Sequence, residues 1–388
     1  MIQNKNTENK LHLLTQSEIR NMSIECDKIG GINLSQGISN LPLSPIIKQG
    51  AFDAVENGLN YYTRFDGVTE LRQAISHKAL TYNNIECDPE KNIIVSAGAT
   101  GAFYCSCLAV LSPGDEVIIF EPFYGYHINT LHAAGAVPKF VRLSQPDWTI
   151  NIVDLENAVT ERTKAIMICT PSNPSGKVFN LQELTLLGEF CKKHELIVFT
   201  DEIYEYFLYD NKQHISPASL DIFKNRTITI SGYSKTFSIT GWRVGYCIVP
   251  EHLHETIGYI NDLIYVCSPS PLQFGVVAGI NKLDVSFYQS IQQRFLKKRN
   301  QICDVLKQIG IIPFVPDGAY YVLADVTNVP GMNSKDKAMH ILKESKVACV
   351  PGMAFYSGNG GDKIVRFCYA KEQEELDAAC ENLLKLKF

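Results

Sequence analysis

Residues 164–176 read Lys164-Ala-Ile-Met-Ile-Cys169 followed at once by Thr170-Pro-Ser-Asn-Pro-Ser-Gly176. The first part is apolar at nearly every position, as a strand buried on both faces of a parallel sheet is. The second is a turn on any reading, because its prolines and glycine break regular structure. The same couplet recurs on either side. Asn92–Ser96, Glu116–Phe120, Leu196–Thr200, Arg226–Ser231 and Val244–Val249 are further strand runs. Turn signals such as Ser112-Pro-Gly-Asp115 separate them from helical patterns such as Ala102–Leu111 and Leu181–His194. This alternation predicts an α/β fold with helices on both sides of a sheet. A long helical stretch from about Val285 to Ile309 carries Arg294, Lys297, Lys298 and Arg299, a cluster that reads as a solvated helix face. After Ile311 short strands and helices predict a smaller α+β unit.

At 388 residues the chain suits two domains of roughly 150 residues each. Its net charge of −5 comes from 36 basic and 41 acidic residues without a long run of either sign. Nucleic acid or an anionic membrane would favour a basic face, so neither is expected as a partner. The twelve cysteines are scattered, with no CxxC pair and no Cys/His cluster of metal-ligand spacing. No zinc site is therefore expected, and most of the cysteines read as small buried hydrophobes in a reducing compartment. The first residues, MIQNKNTENK, lack the apolar core of a signal peptide, and no stretch is long and apolar enough to span a bilayer. A cytoplasmic location is the expectation.

Four segments carry chemistry. Ser231-Gly-Tyr-Ser-Lys-Thr-Phe-Ser-Ile-Thr-Gly-Trp-Arg-Val-Gly245 follows a predicted strand. A lone lysine is usually solvated, but here Arg243 lies eight residues on and could return to the same pocket. A lysine that forms imines must be neutral often enough to attack a carbonyl, which desolvation or a nearby cation achieves. An arginine that binds a phosphate would anchor the aldehyde. Upstream, Thr200-Asp-Glu-Ile-Tyr204 ends a buried run. Asp201 alone could be a helix cap and Tyr204 a half-buried aromatic, but a carboxylate beside such a lysine could keep a pyridine nitrogen protonated. Asn173, held between two prolines, suits a hydrogen bond to a cofactor oxygen. Ser96-Ala-Gly-Ala-Thr-Gly101 joins a strand to a helix, and backbone N–H groups at a helix start suit a phosphate.

Together the sets SNPSG, DEIY and SKTFSITGWRVGY, in this order and spacing, resemble the class I/II pyridoxal-phosphate-dependent aminotransferases of fold type I. The resemblance runs from about Asn33 to Phe388. It implies a large domain with a mostly parallel seven-stranded sheet flanked by helices, plus a smaller α+β domain. The expected division is an N-terminal segment 1–48 packing with the small domain, a cofactor domain 49–284 and a small domain 285–388. It implies pyridoxal 5′-phosphate (PLP) as cofactor, held by Lys235 as a Schiff base, with Lys235 also moving the proton during catalysis. Asp201 would pair with the pyridinium nitrogen, and Asn173 and Tyr204 with the phenolic oxygen. Arg243 would bind the phosphate with the backbone of Ala99 and Thr100 and a hydroxyl from Ser231 or Ser234. Tyr124 matches the aromatic that stacks on the ring. Tyr62 matches the tyrosine that reaches the phosphate from a neighbouring subunit, implying a homodimer with a shared active site. Arg366, in Ile364-Val-Arg-Phe-Cys368, matches the clamp for the substrate α-carboxylate, and Gly37 the segment that closes over the substrate.

The chain departs from one dicarboxylate-specific branch, because Leu263-Ile-Tyr-Val-Cys267 has no arginine where that branch carries one. Arg64 is an alternative, while Tyr61, Tyr124, Tyr126 and Phe355 suit a pocket for aromatic or large neutral side chains. The expected reaction is ping-pong transfer of an amino group from an L-amino acid to a 2-oxo acid. A carbon–sulfur lyase or related elimination enzyme shares the same lysine, aspartate and arginine and is the rival on this scaffold. A ligand sensor that binds PLP without turnover, and a nucleotide-binding protein using Ser96–Gly101, are rivals from other classes. The first usually carries a DNA-binding head, for which residues 1–30 are too few; the second lacks a Walker lysine.

Overall fold

The computed structural model describes residues 17–39 and 42–388. The polar run Met1–Lys10 and the first third of the expected N-terminal segment lie outside these residues. Seven strands form the main sheet, in the order 93–97, 244–248, 227–232, 197–201, 163–169, 116–121 and 137–142. Strand 244–248 is antiparallel to both its neighbours; every other pairing is parallel. This is the mostly parallel seven-stranded sheet expected, with six of its strands within a residue or so of the runs read from sequence. Ala165, Ile166, Val198 and Ile228 are wholly buried. Covering a strand of this kind on both faces contributes about 1.5–3 kcal/mol per large apolar side chain. Strand Val137–Arg142 escaped the sequence reading because Pro138, Lys139 and Arg142 interrupt its apolar pattern. It sits at the sheet edge, where a proline costs no ladder hydrogen bond.

The C-terminal part adds a four-stranded antiparallel sheet in the order 350–351, 364–368, 321–325 and 312–314. Helix Glu18–Lys28 buries Met22 and Cys26 in the same core as Tyr321, Val365 and Leu376. Strand Ile32–Asn33 then pairs in parallel with Val347–Ala348. The described N-terminal chain therefore packs on the C-terminal unit.

Helix Val285–Gln308 corrects one expectation. Arg294 and Lys297 are exposed, as a solvated face requires, but Lys298 and Arg299 are buried. Lys298 donates to the Lys371 carbonyl, and Arg299 forks onto Asp210 at 2.5 and 3.1 Å while lying over the Tyr209 ring. All twelve cysteines are free thiols, nine of them buried. No helix among the described residues is long and apolar enough to cross a membrane.

Candidate active site

Strands 163–169, 197–201 and 227–232 run in parallel, so their carboxyl ends share one edge of the sheet. Ligands bind at such edges in α/β folds. Strand 93–97 ends there too, and strand 244–248, being antiparallel, starts there: Ala97 pairs with Val244. This topology gathers Ala99 and Thr100, Asn173, Asp201, Lys235 and Arg243 around one cavity of about 290 Å³, which Tyr124, Tyr204 and Ser234 also line.

One end of this cavity is built for an anion. Helix Gly98–Val110 begins at its wall, and the first-turn N–H groups of a helix have no intrahelical partner. Arg243 lies beside them, donating to Thr240 O at 2.9 Å and Ala97 O at 3.3 Å. A Cβ on Gly98 would meet Arg243 Nη2 at 2.4 Å, and one on Gly245 would meet Ala99 N at 2.3 Å. Both positions require glycine for the guanidinium and helix start to approach this closely.

At the opposite end Asp201, the last residue of its strand, contacts His127 Nε2 at 2.9 Å and accepts from Ile203 N at 3.2 Å. The Tyr124 ring stands edge-on to His127 and stacks against Tyr126, with centroids 5.3 Å apart in each pair. Tyr204 shares a 2.8 Å hydrogen bond with the Tyr321 hydroxyl. His127 and Tyr321 were not picked out from sequence. Tyr124 caps helix Gly125–Ala134, and His127 stands in its first turn.

Between the two ends, Lys235 Nζ donates to Gly37 O at 3.1 Å. Burial pushes this amine down to about 8; Arg243 and Arg366 add to the effect, while Cys368 and Asp201 oppose it. Only the neutral amine attacks an aldehyde, and its share grows as pH rises through that value. Reconstitution of the apoprotein with PLP is thus expected to speed up with a midpoint near pH 8, against ~10.4 for an ordinary lysine. A pH series of reconstitution rates checks this, and a midpoint above pH 10 would contradict it.

A second cavity of about 240 Å³ shares Tyr124, Tyr126, Asn173 and Lys235 with the first and extends to Gly37, Tyr321 and Arg366. Arg366 is 1% exposed. Its Nη1 donates to Asn173 Oδ1 at 2.9 Å and its Nη2 to Ser35 O at 2.7 Å, and the guanidinium lies over the Tyr321 and Phe355 rings. Its Nε has no partner among the described residues, so one donor of a buried cation is left for an incoming group. Gly37 lines this cavity: its carbonyl also accepts from Tyr320 at 3.1 Å, and a Cβ there would strike the Tyr321 hydroxyl.

Four residues singled out from sequence, Ser231, Tyr61, Tyr62 and Arg64, are not brought to these cavities within the chain. Ser231 turns to the other side of the strand end, where its hydroxyl donates to Glu205 at 3.2 Å. Glu205 belongs to a buried cluster with Lys78 at 2.5 Å, close to Glu202 and His214. Of the two serine alternatives, only Ser234 lines the cavity. Tyr62 is 79% exposed and lines a surface groove with Tyr61 and Arg64. Arg64 is itself held by Asp66 at 2.8 Å and Glu90 at 2.6 Å.

An anion cradle, a carboxylate at the far end and a depressed lysine between them fit a phosphorylated pyridine aldehyde. The fold and the site together define a PLP-dependent transferase. The chain matches the family Aminotransferase class I and II over residues 29–383 and belongs to it. It is 34% identical to the aspartate aminotransferase of Pyrococcus abyssi, over 97% of both chains. It is also 34% identical to mouse kynurenine–oxoglutarate transaminase 3, covering 90% of this chain and 83% of that one. Its structure superposes on Escherichia coli YbdL, described as having a methionine aminotransferase function, with a TM-score of 0.93 at 27% identity over 97% of this chain and 98% of that one. The protein is a PLP-dependent aminotransferase acting on amino acids; the lyase and sensor alternatives are not favoured.

Proposed function

We propose that the donor is an aromatic or large neutral L-amino acid and the acceptor a 2-oxo acid. The observation that carries this is a mostly apolar extension of the site, with Glu18 and Asn129 as its polar members. A cavity of about 330 Å³ shares Tyr124 and Tyr126 with the two above and is lined by Phe123, Ile128, Met353, Phe355 and Tyr356. Rings and thioethers gain from such surroundings, whereas a short or charged side chain does not. The kynurenine and methionine names among the relatives support this reading; the aspartate name points to an acidic partner as well.

In this reading Arg366 takes the α-carboxylate with two parallel N–H bonds, oriented by Asn173 and the Ser35 carbonyl, and so presents Cα to Lys235. Bound PLP supplies the electron sink that stabilises the carbanion at Cα. Lys235 Nζ carries the Cα proton. Asp201, steadied by His127, would keep the ring nitrogen protonated, and Tyr204 and Asn173 would bond the phenolic oxygen. Tyr124 would cover the ring, and Arg243, Ser234 and the backbone of Ala99 and Thr100 would hold the phosphate. The chain divides at about residues 48 and 284, and residues of the N-terminal segment close over the substrate. Two copies complete each site, Tyr62 reaching the neighbour's phosphate, in the cytoplasm, where free thiols persist.

Measuring kcat/KM for single donors with a saturating 2-oxo acid tests the specificity. Phenylalanine, tyrosine and methionine are expected to exceed alanine by ten- to a hundredfold, about what one buried apolar side chain contributes. Alanine equalling them would sink the apolar-pocket reading.

A further inference from the structure

The Tyr204 hydroxyl has a neighbour that the reaction above does not use. It meets the Tyr321 hydroxyl at 2.8 Å, a contact between two side chains that are 3% and 2% exposed. Tyr321 opens strand 321–325 of the C-terminal sheet. It stands two positions from Leu323, the cross-strand partner of Arg366, and so on the face that carries Arg366. That guanidinium lies 4.3 Å from the centre of the Tyr321 ring. Tyr204 lines the inner cavity and Tyr321 the outer one, so their contact joins the two.

Each hydroxyl has one hydrogen to give and lone pairs with which to receive. Burial raises both above the ordinary tyrosine range, so each keeps its hydrogen near neutral pH. Two hydrogens therefore serve one contact, and one is left over. Tyr320, whose ring stands edge-on to Tyr204 at 5.0 Å, already donates its own to Gly37 O at 3.1 Å. Gly37 also packs against the Tyr321 oxygen, where a Cβ would strike it, so backbone occupies that approach.

We propose that Tyr321 is a positioning residue: its hydroxyl donates to Tyr204, which commits the Tyr204 hydrogen to the phenolic oxygen of the cofactor. This rests on the reading of Tyr204 as that oxygen's partner. With the Tyr321 hydrogen on its oxygen, Tyr204 turns its own hydrogen to the inner cavity, and polarisation along the pair strengthens the bond it makes there. Without Tyr321 nothing in the pair sets that direction. A hydrogen bond to the phenolic oxygen draws off the charge that holds a proton on the adjoining Schiff-base nitrogen, so that nitrogen gives up its proton at lower pH. Tyr321 acts on the cofactor only through Tyr204.

The test is the pH midpoint at which the visible band of bound PLP shifts, measured in the PLP-loaded wild type, Tyr321→Phe, Tyr204→Phe and the double variant. Tyr321→Phe keeps the ring beneath Arg366 and removes only the hydroxyl. Its midpoint is expected about 0.5–1 unit above that of wild type, the scale of one neutral hydrogen bond. Tyr204→Phe should raise the midpoint at least as far, and the double variant should match Tyr204→Phe within about 0.3 unit. A Tyr321→Phe midpoint equal to that of wild type overturns the proposal alone. So does a Tyr321→Phe shift that persists in full in the Tyr204→Phe background, because the hydroxyl would then act by another route. A Tyr204→Phe midpoint equal to that of wild type overturns the reading of Tyr204, and this proposal with it.

Discussion

Lys235→Ala is expected to abolish the visible absorption of bound PLP and to lower amino transfer by at least about 10⁴-fold, the upper range for losing a positioned acid–base group. The reason is in the lining of the inner cavity. Among the described residues Lys235 carries its only primary amine, and Asp201 and Arg243 are already committed to hydrogen bonds of their own. No other side chain there can replace a depressed amine both as attacking group and as proton carrier. Anion cradle and Asp201 are untouched, so the variant still takes up PLP without the covalent bond. Absorption spectra, turnover and an unchanged circular dichroism spectrum check this together. A variant that folds and keeps the wild-type band would place the reactive amine elsewhere.

The second large effect is at Arg366. Arg366→Ala removes a 1% exposed guanidinium and leaves Asn173 Oδ1 and Ser35 O without the donors they now accept from. Losing one partner of a buried charge pair costs about 2–5 kcal/mol, or roughly 30- to 5,000-fold in kcat/KM. Both KM and kcat should suffer, because the clamp orients Cα as well as binding the carboxylate. Arg366→Lys keeps the charge but loses the fork, and is expected to restore only part of the loss. The visible band should survive in both, separating substrate binding from cofactor binding. A kcat/KM within threefold of wild type for Arg366→Ala would show that the α-carboxylate is bound elsewhere.

Sequence reading went furthest where one residue pattern has one physical solution. Runs such as 164–169 are apolar at nearly every position, and only a doubly covered parallel strand places such a run well. Motif order then put the chemistry at the strand ends, and the topology brings Asn173, Asp201, Lys235 and Arg243 to one cavity. What escaped was tertiary. His127 meets Asp201 across 74 residues of chain, and Tyr321 meets Tyr204 across 117. Neither distance leaves a local signal. Lys298 and Arg299 read as solvated because charge usually is; their burial depends on Asp210 and the Lys371 carbonyl folding over them. Ser231 and Ser234 could not be told apart until the strand end fixed which side each faces.

The most direct measurement is the visible spectrum of the PLP-loaded protein mixed with one amino acid at a time. The band is expected to bleach with phenylalanine, tyrosine or methionine. It should return when a 2-oxo acid is added, with one new amino acid formed per band restored. A band that no amino acid bleaches, or pyruvate and ammonia released without any acceptor, would contradict it.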